Sequence, residues 1–209
     1  PMSNLQNIML FSLFAGFILL EFALGKARGM NASRGDNILD MLCVALLAGF
    51  TQPVIFWLVQ QAGLAWAPEY QNAWAGLPWY AMAAILLVGD DMTQYWWHRA
   101  SHSPLLWPLH RAHHSAQYMS ARIIYRNNFF YYLAMPGLWI SGALIYLGFA
   151  DVYLVYIVIK LAVITGAHSA VKWDAPLYRI RLLSPLMWLV QRIVSTPSTH
   201  YAHHAMFND

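Results

Sequence analysis

Nine of the 209 residues are histidines, and eight of them fall in three short clusters. These read His98-Arg-Ala-Ser-His102, His110-Arg-Ala-His113-His114 and His200-Tyr-Ala-His203-His204. Residues three and four apart share one face of an α-helix. The first cluster therefore projects two imidazoles from one face, and each of the others projects two or three. Neutral imidazole is a ligand for zinc, copper, iron and nickel. One such ion takes about four to six ligands, so eight or nine histidines oversupply one metal ion and suit two. A single i,i+4 pair reads equally well as solvated surface histidine; three clusters together do not. His168 stands apart in Gly166-Ala167-His168-Ser169. By itself it reads as a hydrogen-bonded core histidine, but the topology below places it at the depth of the clusters and adds it to the ligand set.

Helical phase nominates one supporting carboxylate. Asp91 lies two turns before His98, where it could accept the free N–H of a ligand imidazole; a helix-end aspartate bonded to Arg99 or another base is the alternative. Asp90 points elsewhere and is assigned nothing. Tyr95 and Trp107 line the site or simply pack.

The clusters need short helices to carry them. Pro104 and Pro108 break the chain between the first two, and proline is tolerated in a helix's first turn. Pro108 is thus expected to open the helix carrying His110, His113 and His114. Thr196 is the expected N-cap, and Pro197 the first residue, of the helix carrying His200, His203 and His204.

The rest of the chain is apolar. Hydrophobic residues make up 59% and charged residues 10%, against roughly 25% charged in a soluble domain. So little charge cannot cover a water-facing surface, and the ten tryptophans and twelve tyrosines suit membrane–water interfaces. Five segments approach the ~20 residues of a spanning helix: about 8–24, 38–60, 77–88, 129–149 and 152–170. The last two leave room only for a tight turn at Gly148–Asp151, so a helical hairpin is expected. The first is read as a retained helix, since no basic region precedes it. Lys26, Arg28, Arg34, Arg99, Arg111, Arg122, Arg126, Lys172, Arg179, Arg181 and Arg192 fall on one side of this topology, which makes that side cytoplasmic. Lys160 sits mid-segment, reaching toward an interface or a polar interior or serving the site; Glu21 reads as an interfacial residue. No cluster of five basic residues supports nucleic-acid binding, and the lone Cys43 reads as a small buried hydrophobe. The expected fold is all-α: one domain over residues 1–209, with about five membrane segments and a cytosolic histidine-rich helical cap.

The stretch Asp91-Met-Thr-Gln-Tyr95-Trp-Trp-His98-Arg99, then His102, Leu106-Trp107 and His110-Arg-Ala-His113-His114-Ser115, resembles the fatty acid hydroxylase/sterol desaturase superfamily. Thr196-Pro197 before His200-Tyr-Ala-His203-His204 is similar to that family's last histidine box. The resemblance covers about residues 77–204; the first two apolar segments carry no such signature. It implies a membrane domain with a cytosolic cap around a histidine-ligated pair of iron ions. Such proteins use O2 and external electrons to hydroxylate, or sometimes desaturate, fatty acyl chains, sterols and related lipids. By this analogy His98, His102, His110, His113, His114, His168, His200, His203 and His204 are the ligands. Other members supply a further histidine between the second and third boxes, where this chain offers only His168. They also continue beyond the last box, whereas this sequence stops at Asp209, so a C-terminal truncation is expected.

No flavin, dinucleotide or haem-attachment motif is present, so electrons are expected from a partner such as cytochrome b5, a ferredoxin or a reductase. The expected location is the inner membrane of a bacterium or the endoplasmic reticulum of a eukaryote. Three rival readings fit less well. A zinc-dependent membrane hydrolase needs three protein ligands and an open position, and H-E-x-x-H is absent. A haem-binding electron carrier needs axial histidines far apart or on different helices, whereas these bunch on single faces. A metal transporter needs polar groups along its spans.

Overall fold

A computed structural model describes residues 2–26, 30 and 32–204; Arg28 and the last five residues lie outside them. All regular elements among the described residues are helical. They run α1 (Met2–Ala23), α2 (Arg34–Leu46), α3 (Gln52–Trp66), α4 (Trp79–Leu86), α5 (Thr93–Ser101), α6 (Trp107–His110), α7 (Phe129–Leu133), α8 (Pro136–Leu144), α9 (Ala150–His168), α10 (Ala175–Arg179), α11 (Ser184–Val190) and α12 (Pro197–His203). Wider π-type turns join α2 to α3 over Leu47–Thr51 and α4 to α5 over Leu87–Met92.

Two stretches are long and apolar enough to cross a membrane, Arg34–Trp66 and Pro136–His168. Only 22% and 17% of their apolar windows are buried, whereas the core helix of a soluble protein is mostly buried. The outward residues are large and apolar, among them Met41, Trp57, Val155 and Ile159. Such a surface suits lipid contact. Phe11–Ala23 is a shorter apolar helix.

The chain forms two compact units. The first comprises residues 1–40, 114–124 and 158–209, the second residues 41–113 and 125–157. The second unit contains the expected hairpin. Gly148 takes φ 113°, a left-handed conformation that favours glycine, and breaks the helical run there. A Cβ at Gly148 would come within 2.9 Å of the Ala75 backbone nitrogen. Two arms fold back from this turn onto Asp90. One Asp90 carboxylate oxygen lies 2.6 Å from where a Gly137 Cβ would stand, and the other accepts the Tyr156 hydroxyl at 2.8 Å. Ile55, Leu86, Leu138, Phe149 and Tyr153 fill the buried interior of this unit.

The first unit is held by buried polar contacts more than by bulk. Ala116, Tyr118, Met119 and Ile123 form a small core against which Met30, Ala32 and Tyr201 pack. Glu21 is only 2% exposed, which corrects its reading as an interfacial residue. A carboxylate within an apolar helix is retained here because three donors reach it: the Ser120 hydroxyl at 2.6 Å and the Ala121 and Ala170 backbone N–H groups at 3.0 and 2.8 Å. Asp40 accepts the Tyr118 hydroxyl at 2.6 Å. Cys43, in the second unit, is buried as expected.

Candidate metal centre

Each unit gathers its own set of histidines. In the second unit, His98 lies in the last turn of α5 and His102 forms its C-cap. Their Nε2 atoms face each other at 3.4 Å, as i,i+4 neighbours on a helix should. Pro108 does open a helix, but α6 ends at His110 and a separate 3-10 turn carries His113 to Ser115. The expected single helix therefore breaks after one turn, with His110 at its end close to the first cluster. The His110 ring lies 4.6 Å from that of His98 and 5.2 Å from that of His102. His113 stacks on His110 at 5.1 Å. His98, His102 and His110 each offer a ring nitrogen within 4.8 Å of the others.

In the first unit, His168 ends α9, His200 and His203 lie on α12, and His204 is its C-cap. Thr196 and Thr199 form a reciprocal capping box with Pro197 in the first turn, so that helix starts where the sequence places it. The buried Asp174 accepts the Ser198 N–H at 2.9 Å and anchors the same end. His200 is central: its Nε2 lies 2.8 Å from that of His168 and 3.1 Å from that of His204. His114 stacks on His204 at 4.3 Å, with His203 at 4.9 Å.

These spacings fit a shared metal ion. Ligand nitrogens ~2.1 Å from one ion stand roughly 3.0–3.4 Å apart across octahedral to tetrahedral angles. Two of the three Nε2 pairs, at 3.1 and 3.4 Å, fall in that range, and the His168–His200 pair at 2.8 Å lies just below it.

The opposite ring nitrogens are tied as ligands require. His110 Nδ1 lies 2.8 Å from Asn127 Oδ1, and Asn127 Nδ2 donates to the Tyr132 hydroxyl at 3.1 Å. With the amide in this orientation Asn127 Oδ1 accepts, which leaves the proton on Nδ1 of His110 and the lone pair on Nε2. His168 Nδ1 bonds the Ile164 carbonyl at 2.8 Å with the same consequence. His110, His113, His168, His200 and His204 are buried, and partial burial lowers the His102 pKa, favouring its neutral form. Burial, with Glu21 and Asp174 nearby, raises Tyr201 to about 12 and keeps its hydroxyl protonated.

Asp91 is exposed, and no imidazole hydrogen bond among those described reaches it. The π-type turn holds more residues per turn than an α-helix, which removes the two-turn phase match with His98. Asn127 and the Ile164 carbonyl take the orienting places instead. A neutral amide 17 residues from its partner leaves no spacing signal, and a backbone carbonyl leaves none at all. Tyr95 turns to Arg99, whose guanidinium donates to its hydroxyl at 3.0 Å. Trp107 flanks the second unit's histidines, 5.6 Å from the ring of His102. The exposed Asp91 and the buried Asn127 thus differ from what helical phase alone suggests.

Residues 83–209 match the model of the fatty acid hydroxylase family, a span that includes all nine histidines and more than half of the chain. The protein belongs to that family. Among curated relatives, it is 28% identical over 202 residues to the alkylglycerol monooxygenase of zebrafish (Danio rerio). That match covers 91% of this chain but 40% of the relative, so the chain spans about two fifths of the relative's length. No solved structure matches.

Proposed function

We propose that the protein is a membrane-bound oxygenase that holds two iron ions on its histidines and oxidises a C–H bond of a lipid with O2. The Nε2 spacing of 2.8–3.4 Å, with the opposite nitrogens of His110 and His168 tied to acceptors, is the observation that supports this best. Hydroxylation consumes O2, one C–H bond, two electrons and two protons, and yields one alcohol and one water. Bound iron would supply the O2 reduction and the C–H oxidation, chemistry that side chains do not perform.

The protein's residues supply ligands, orientation and a dry surrounding. His98, His102 and His110 are the core of one proposed ligand set, and His168, His200 and His204 the core of the other. His113, His114 and His203 complete them. One catalytic domain over residues 1–209 is proposed. A cavity of about 410 Å³ in the first unit is lined by Phe17, Leu20, Val163 and Trp173, with Gly166 and Ser169 on either side of His168. Its size and apolar walls suit part of a hydrocarbon chain, whose presence would exclude water.

The proposed setting is an integral membrane protein with about five membrane segments and its histidines on the cytoplasmic side. Electrons would come from cytochrome b5, a ferredoxin or a reductase. The relative's name adds alkylglycerols to fatty acyl chains and sterols as substrates to test. Detergent-purified protein, loaded with ferrous iron and given a reductant, is to be incubated with each lipid class under 18O2. Incorporation of 18O into one class, abolished by His200→Ala, is expected. Absence of any oxidised product, hydroxylated or desaturated, with every class and every donor would contradict the proposal.

A further inference from the structure

We infer that Glu21 is a positioning residue that holds the first unit's histidines in place for metal binding, a role that rests on the two-metal reading above. Glu21 lies outside the span matched by the family model, on α1, and carries no histidine near it in sequence. Its carboxylate nevertheless collects the backbone that follows two ligand segments. Ser120 ends the irregular stretch after His114, Ala121 opens the 3-10 turn that follows it, and Ala170 lies two residues after His168. The third ligand segment reaches the same place through Tyr201, on α12 between His200 and His203. The Tyr201 hydroxyl donates to the Ser169 carbonyl at 3.4 Å, and its ring packs on the core formed by Ala116, Tyr118, Met119 and Ile123.

Burying a carboxylate is costly unless donors meet it, and buried backbone N–H groups need acceptors. Glu21 satisfies both needs at one point. Ala121 N–H and Ala170 N–H share one carboxylate oxygen, at 3.0 and 2.8 Å, while Ser120 holds the other at 2.6 Å. Binding sites must keep ligands within about 0.5 Å of the productive geometry. Backbone outside α-helix and sheet achieves this through such pins. Asp40 bonding Tyr118 and Arg122 bonding Asn37 hold the same stretch from α2, but neither reaches the segment after His168.

The test compares wild type, Glu21→Leu, Glu21→Gln and Ser120→Ala in detergent, titrated with Co2+ as a spectroscopic probe and with helicity followed by circular dichroism. Glutamine keeps an oxygen for both N–H groups, and the Ser120 hydroxyl can turn to accept from the new amide. Glu21→Leu is expected to keep its helicity, lose ~10–100-fold in Co2+ affinity and change the cobalt absorption spectrum. Glu21→Gln should restore both to within ~3-fold, a rescue that mere filling of space would not give. Should Glu21→Leu fail to fold, Ser120→Ala carries the test: a smaller affinity loss with an altered cobalt spectrum supports the role. Wild-type affinity and spectrum in whichever of these two variants folds overturns the positioning role alone. Absence of Co2+ and Fe2+ binding by wild type overturns the two-metal reading and this role with it.

Discussion

The histidines of the second unit and those of the first are assembled in different ways. His98, His102, His110 and His113 fall within one short run, and a helix end plus one bend brings them together. His168 and His200 meet across 32 residues, and His114 joins from farther still. Closing long loops costs conformational entropy, and the compensating contacts differ accordingly. The second unit orients its imidazole with a neutral amide, Asn127, beside a stacked Tyr131. The first relies on buried carboxylates, Glu21 and Asp174, that grip backbone N–H groups flanking the ligands. Ligands that are local in sequence need little beyond the right tautomer. Ligands gathered from afar need their backbone pinned.

The largest expected effect comes from His200, central to the long-range set. His200→Ala should weaken metal binding in the first unit by more than ~100-fold while leaving that of the second, as read by equilibrium dialysis with elemental analysis; unchanged binding would remove His200 from the ligands. Next, Asn127→Leu should reduce second-unit metal affinity ~10–100-fold by releasing the His110 tautomer. Asn127→Asp, which keeps an acceptor, should lie within a few-fold of wild type, and equal losses in the two variants would contradict the orienting role. Gly148→Ala tests the frame of the second unit. It places a side chain at positive φ against the Ala75 backbone, and a cost of about 1–3 kcal/mol is expected, seen as a lower unfolding midpoint in detergent. Smallest is Asp174→Ala, which removes an acceptor from the start of α12 and should cost about 1 kcal/mol. If it alters the metal spectrum of the second unit alone, the contrast between the two regions fails.

The sequence revealed what is local. Box spacing, the Thr196–Pro197 helix start and the break at Gly148 all depend on neighbours a few residues away, and each appears in the structure. Helical phase failed where the helix is not α: the π-type turn over Leu87–Met92 leaves Asp91 exposed and buries Asp90 against Tyr156. The one-turn α6 splits the second box for a related reason, since Pro108 starts a helix but cannot sustain it. Glu21 is illegible in the sequence because composition assigns a helix-end carboxylate to the interface. Its partners, Ser120, Ala121 and Ala170, lie 99 to 149 residues away. No period or motif connects them.

The central claim is that each group of histidines holds one metal ion, and metal content tests it most directly. Elemental analysis of the detergent-purified, iron-loaded protein should be made beside two double variants, His98→Ala/His102→Ala and His168→Ala/His200→Ala. The account predicts about two irons per chain in wild type and about one in each variant. One iron or none in wild type, or two irons retained in either variant, would contradict it.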